Sequence, residues 1–193
     1  MDQARFDAIR LARSPRIGPI SYRQLIARFG SASEALKALP DLARRGGRAA
    51  EIADERKIAA EVEATHRLGA QWLICGDAEY PSLLAETEDA PPVMTYRGDL
   101  TLASHPCVAM VGARNASAAA CRFARGLARD LAGDGAIVVS GLARGIDTAA
   151  HAGAEARTVA VIAGGIDSHY PPENAALQEQ IAEQALLIAE QPP

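Results

Sequence analysis

Apolar positions change their spacing along the chain. Over residues 1–69 they recur every three or four positions, the period of a helix with one buried face. This pattern predicts a helix from Asp2 to Arg13, a turn over Ser14–Pro19, and a second helix to Phe29 that Gly30 stops as a C′ glycine. Ser33 can cap a short helix through Leu39, with Pro40 as its breaker. Arg44-Arg45-Gly46-Gly47-Arg48 reads as a flexible basic loop, and a long helix is expected from about Ala50 to Gly69.

From Val108 the apolar residues gather in short unbroken runs, each followed by a glycine turn and a helix-like segment. The runs are Val108–Val111 before Gly112-Ala113-Arg114, Ile137–Val139 before Ser140–Asp147, and Val159–Ile162 before Gly164-Gly165-Ile166-Asp167. Such runs fit parallel strands buried by helices on both faces. A fourth strand is expected at Leu186–Ala189. The helices between are expected from Ala116 to Ala132 with Asn115 or Ser117 as cap, from Asp147 as N-cap, and from Pro172 or Glu173. Residues 70–106 read as a connector, with short strands at Gln71–Cys75 and within Ala90–Tyr96 and a turn-rich edge at Tyr80–Leu84. The fold class is therefore α/β, a mostly parallel sheet over residues 70–193 preceded by an all-helical domain over residues 1–69.

Composition narrows this picture. No apolar run approaches the ~20 residues a membrane-spanning helix needs, and the first residues lack the apolar stretch of a signal peptide. Three cysteines without metal-ligand spacing suggest reduced thiols with packing roles in a cytoplasmic protein. The net charge of −4 argues against a general nucleic-acid coat. Its distribution says more. Residues 1–69 hold 13 Lys+Arg against 9 Asp+Glu, and residues 70–193 hold 7 against 15. All seven of those basic residues are arginine, the side chain suited to bidentate phosphate recognition.

The glycine turns sit where open α/β sheets bind ligands, beyond the strand ends. Backbone N–H groups and helix N-termini there favour anions such as phosphate. Yet the dinucleotide pattern G-x-G-x-x-G is absent after Gly112, and no ribose-binding acid follows. A Walker loop fails too, because Gly141 to Gly145 has the wrong spacing and residues 70–193 contain no lysine. Arg114 in the first turn could clamp a phosphate with the helix behind it, or be a surface arginine paired with an acid. His151, four residues after Asp147 on one helix face, is read as a packing or hydrogen-bonding residue. Arg122, Arg125 and Arg129 make one helix face basic, either solvated or flanking a nucleic-acid backbone. His169 and Tyr170 could stack on a base, or the Tyr170-Pro171-Pro172 segment could be a lid that only packs. Ile17-Gly18-Pro19 between two helices reads as a structural turn, with half of a helix-hairpin-helix as the sharper alternative.

Together these motifs resemble the DNA-processing protein A family, also called Smf. The resemblance is carried by Val111–Arg114, by Ser140–Asp147 with His151, by Gly164–Asp167 with Tyr170-Pro171 and Asn174, and by Ala189-Glu190-Gln191-Pro192. Tyr80-Pro81, Leu83 and Pro91-Pro92 add to it. It implies a Rossmann-like α/β domain behind a helical domain similar to a sterile alpha motif. It also implies a cytoplasmic single-stranded DNA binder that protects incoming DNA in natural transformation, loads the RecA recombinase, acts as a homodimer and is not an enzyme. No cofactor and no metal are implied. Arg114 matches the family's Gly-Ser/Ala-Arg arginine. The residues expected to contact DNA are Gly112, Arg114, Asn115, Ser140, Gly141, Arg144, Gly145, Asp147, Gly164 and Gly165.

The family chain continues past the Glu-x-Pro element, so this sheet is expected to be incomplete, as in a fragment or a truncated product. Two alternatives follow. One is a phosphoribohydrolase of the lysine-decarboxylase-like type, which would require a P-G-G-x-G-T-x-x-E segment; Gly164–Tyr170 is not that segment. The other is an inactive truncated fragment.

Overall fold

The computed structural model describes residues 1–45 and 51–193, residue 45 by its backbone alone. The chain forms two compact units, Met1–Ala64 with Trp72–Met94, and Thr65–Gln71 with Thr95–Pro193. In the first unit Trp72, Ile74 and Val93 join the helical core with Ile9, Leu11, Ala35 and Ile58.

In the first unit, α1 (Gln3–Ala12) is capped by Asp2, whose carboxylate accepts from the Arg5 N–H at 2.8 Å. Gly18 precedes α2 (Pro19–Phe29), with Pro19 at the first turn, and Gly30 closes it at φ 81°. Ser31 rather than Ser33 caps α3 (Ala32–Arg45), its Oγ accepting from the Glu34 N–H at 3.2 Å. Ser33 instead donates to the buried carboxylate of Asp7 on α1. Nor does Pro40 break α3. It lies at an exposed position, where water can take the carbonyl that its missing N–H leaves unpaired. Residues 46–50 of the expected basic loop, and the expected helix start at Ala50, lie outside the described residues. The following helix, α4 (Glu55–Arg67), begins at Glu55. Where a turn-rich edge was expected, Ser82–Ala85 forms a short helix, α5, after the strand β1 (Gln71–Ile74).

The second unit alternates strand and helix. Its elements are β2 (Val93–Gly98, which starts in the first unit), β3 (Cys107–Ala109), α6 (Ala118–Gly133), β4 (Ile137–Ser140), α7 (Ile146–Ala154), β5 (Thr158–Gly165), α8 (Ala175–Gln184) and β6 (Leu186–Gln191). The strand order is β1-β2-β6-β5-β4-β3. β3 to β6 are parallel, with Val108 opposite Val138, Val138 opposite Thr158 and Val159 opposite Leu186. β2 runs antiparallel to β6. Sequential parallel strands laid side by side, joined by right-handed crossovers, put every connecting helix on one face. The packing agrees. Val138 lies among Ala124 and Ala128 of α6 and Ala149, Ala150 and Ala154 of α7. Ala160, Ile162 and Leu187, on that same face, pack against Ile181 and Ala182 of α8. The other face is covered unevenly: Ala109 and Val161 are exposed and Val139 is half-buried, whereas Val159, Leu186 and Ile188 are buried. Cys107 is exposed too, contrary to a packing role.

Two contacts tighten the helical layer. A Cβ on Gly153 would fall on the Arg125 carbonyl, so α7 can approach α6 closely only through glycine. His151 is buried, and its Nδ1 lies 2.7 Å from Thr158 Oγ1. The Thr158 hydroxyl donates its one proton to the Val138 carbonyl at 2.8 Å. It must then accept from His151, which fixes the Nδ1–H tautomer and leaves Nε2 as a buried, unpartnered acceptor.

Candidate functional site

Three turns leave the carboxyl ends of β3, β4 and β5 and meet around one cleft of about 310 Å³. It is lined by Arg114 and Asn115 after β3, by Gly141, Ala143 and Arg144 after β4, and by Ile162–Gly164, Ser168, Tyr170 and Pro171 from β5 onward. This is the edge at which open α/β sheets place ligands.

The turns are held by contacts that the residue types dictate. Gly112 faces Ile146, and a Cβ there would come within 2.6 Å of its side chain. Gly145 has φ 77° and presses on the Ala113 and Arg114 carbonyls, where any side chain would collide. The two glycines thus interlock the turn carrying Arg114 with the turn carrying Arg144. Leu142 is fully buried at φ 58°, a region that costs a non-glycine residue roughly 1–2 kcal/mol. Two side chains hold it there. Asp147 Oδ2 accepts from the Gly141 N–H at 3.2 Å and from the Ala143 N–H at 3.4 Å. Asn174 Nδ2 donates to the Leu142 carbonyl at 2.8 Å, to the Ala143 carbonyl at 3.3 Å and to Thr148 Oγ1 at 2.8 Å. Asn174→Ala should strip this loop of its donor and lower stability by about 1–2 kcal/mol. A urea midpoint equal to wild type would show that the loop holds without it.

Five of the ten residues expected at the site line the cleft: Arg114, Asn115, Gly141, Arg144 and Gly164. The other five lie behind it. Gly112 and Gly145 lock the turns as described. Ser140 is buried and donates to the Met110 carbonyl at 2.7 Å. Gly165 makes room for the Pro192 carbonyl. Asp147 is not the N-cap of α7, a position that Gly145 takes. Its carboxylate reaches back to the loop, so two of the amides expected to cradle phosphate are already occupied. Positive charge in the cleft falls to the two arginines. Arg144 Nη2 lies 2.9 Å from Glu173 Oε1, whereas Arg114 faces no carboxylate among the described residues.

Ser168, Pro171, Ala143, Ile162 and Ala163 join the lining without having been expected there. Their sequence signal is weak: they are the neighbours of the glycines, brought in because the turns are short. Tyr170 is 70% exposed beside the cleft, available for stacking. His169 is committed elsewhere. Its Nε2 lies 2.9 Å from Glu179 Oε1, and Arg97 Nη1 reaches the same carboxylate at 2.9 Å. The His169 hydrogen bond, followed by Arg97, holds the Glu179 carboxyl below its usual range. Arg122, Arg125 and Arg129 are exposed on α6 and line no part of the cleft. The described residues hold no cluster of His, Cys, Asp and Glu fit for a metal ion, and no helix long and apolar enough to cross a membrane.

Comparison with known proteins agrees with this architecture. The family model for DNA recombination-mediator protein A matches residues 71–193, and that for the DprA-like N-terminal HHH domain matches residues 2–64. Protein Smf of Synechocystis is 40% identical over 129 residues, which are 63% of this chain and 32% of that protein. The crystal structure of DNA processing protein A from Streptococcus pneumoniae superposes with a TM-score of 0.77 at 28% identity, covering all of this chain and 69% of that one. A structure of the Helicobacter pylori protein, concerned with its single-stranded DNA binding mode, gives a TM-score of 0.57 at 31% identity over 63% of this chain and 55% of that one. The chain spans from 32% to 48% of the length of the first two curated relatives. With the model matching well over half its length, the chain belongs to the DNA recombination-mediator protein A family.

Proposed function

We propose that the cleft binds single-stranded DNA. The observation that carries this reading is the convergence of Arg114 and Arg144 on one cleft beside the exposed ring of Tyr170. Two guanidinium groups suit the phosphates of a strand, and an aromatic face suits an unpaired base whatever its identity. Asn115, Gly141 and Gly164 would complete the contact surface, with Gly112, Ser140, Gly145, Asp147 and Gly165 shaping it. The role proposed for the protein is that of its family: in the cytoplasm, protecting incoming single strands in natural transformation and loading RecA onto them, as a homodimer. The reading is of a binder rather than an enzyme, as the family resemblance implies.

A fluorescent oligonucleotide titrated as single strand and as duplex tests this. The single strand should bind more tightly at matched salt. Its affinity should fall with salt at about −0.7 log units per log unit for each phosphate neutralised, or about −1.4 for two arginines. Equal affinity for the duplex would sink the proposal.

A further inference from the structure

The two arginines of the cleft stand in different electrostatic states. Arg114 faces no acid among the described residues, whereas Arg144 is paired with Glu173 at 2.9 Å. Arg144 rides on the turn after β4, and Glu173 on the 3-10 turn Pro172–Asn174 before α8. Their backbones are pinned to each other. Asn174, next to Glu173, donates to the carbonyl of Ala143, next to Arg144. The pair is therefore set by two fixed turns rather than by the chance reach of long side chains.

Both side chains are largely exposed, 55% for Arg144 and 62% for Glu173. Exposed pairs of this kind add little to stability. Their effect on a ligand is greater, because a phosphate arriving at Arg144 must displace a carboxylate already there. We propose that Glu173 is a built-in competitor for phosphate at Arg144, and that it makes the cleft select a strand over a lone anion. A single phosphate at Arg144 exchanges one anion for another. A strand also places a phosphate on Arg114, which has no competitor among the described residues, and that second contact drives the exchange. The inference rests on the reading of the cleft as a single-stranded DNA site.

The test is a titration of labelled (dT)20 against wild type, Glu173→Gln, Arg144→Ala and the double variant, with inorganic phosphate as competitor. Glu173→Gln should bind about 2- to 5-fold more tightly, the range that an exposed pair can withhold. Its salt dependence should stay near about −1.4, because the strand neutralises a phosphate at each arginine in both proteins. Inorganic phosphate should displace the oligonucleotide from Glu173→Gln at lower concentration than from wild type. In the Arg144→Ala background the Glu173→Gln change should bring no gain, since the two act through one contact.

Unchanged or weaker binding by Glu173→Gln overturns the proposal. So does an equal gain with and without Arg144, which would make Glu173 a general repulsive charge. Glu173→Ala, titrated alongside, covers the case in which glutamine disturbs the turn. Binding by wild type that is lost in Arg114→Ala, with no gain from Glu173→Gln, removes the competitor and keeps the site. No binding by any of the proteins removes both.

Discussion

Replacing Arg114 with alanine should weaken single-stranded DNA binding roughly 10- to 150-fold, the equivalent of about 1.5–3 kcal/mol for one charge-assisted hydrogen bond. The magnitude follows from what else the cleft offers. Asp147 already takes the Gly141 and Ala143 amides, and Glu173 already occupies Arg144. Among the described residues, Arg114 faces no carboxylate, so a phosphate can reach it without displacing one. The fold should not notice the change, because Arg114 is exposed and its neighbours are held by Gly112 and Gly145. Exposed substitutions of this kind usually stay within about 0.5 kcal/mol. Arg114→Lys should recover part of the loss, since an ammonium supplies the charge without the planar fork. Oligonucleotide titrations of wild type and both variants, with thermal melts alongside, decide the matter. Unchanged affinity in Arg114→Ala would take the residue out of the site. A large drop in melting temperature would make it structural.

Acid should destabilise the protein through His151. Burial, opposed in part by the charge of Asp147, lowers its pKa from 6.5 to about 4. The group is a base, so the unfolded chain takes up a proton between those values while the folded chain does not. Stability is then independent of this group above about pH 7 and falls as pH drops from 6.5 towards 4. The slope is about 1.4 kcal/mol per pH unit, on the order of 3 kcal/mol across the window. Below about pH 4 both states carry the proton and the dependence flattens. Carboxylates titrate in the same range, so the comparison must be with a variant. His151→Asn keeps a donor where Nδ1–H meets Thr158 and removes the titration. Urea midpoints at pH 7.5 and 4.5 should converge for the two proteins as pH falls, because only wild type carries the imidazole term. A parallel fall in both would show that His151 is not the source.

The strands and their glycine turns are legible because consecutive residues of β4, β5 and β6, on both faces, are largely buried, which leaves an unbroken apolar run. Apolar runs show that strands are buried, but that the connecting helices share one face follows from the sequential strand order, which no local pattern encodes. Pro40 shows another limit. A proline costs a helix one bond, and whether the helix ends there depends on what the next turn faces. At the site, Arg114 and Arg144 were readable because charge beside a glycine turn has few structural uses. Glycine was harder to read, since close approach to a ligand and close approach to another turn call for the same residue. Gly112, Gly145 and Gly165 each make a close approach to another segment of the chain. Asp147 was misplaced by one step of logic: an acid at a helix start can cap that helix, or turn back and tie the loop that leads into it.

The interlock of Gly112 with Ile146, and of Gly145 with Ala113, has a meaning for inheritance. Each arginine-bearing turn needs a glycine where the other turn presses on it. A crossover between relatives that falls between residues 115 and 141 would join a turn from one parent to a turn from the other, and an alanine for Gly112 would meet an isoleucine that leaves no room for it. Breakpoints outside that interval pass the pair on whole. The two segments, distant along the chain, constrain one another's substitutions.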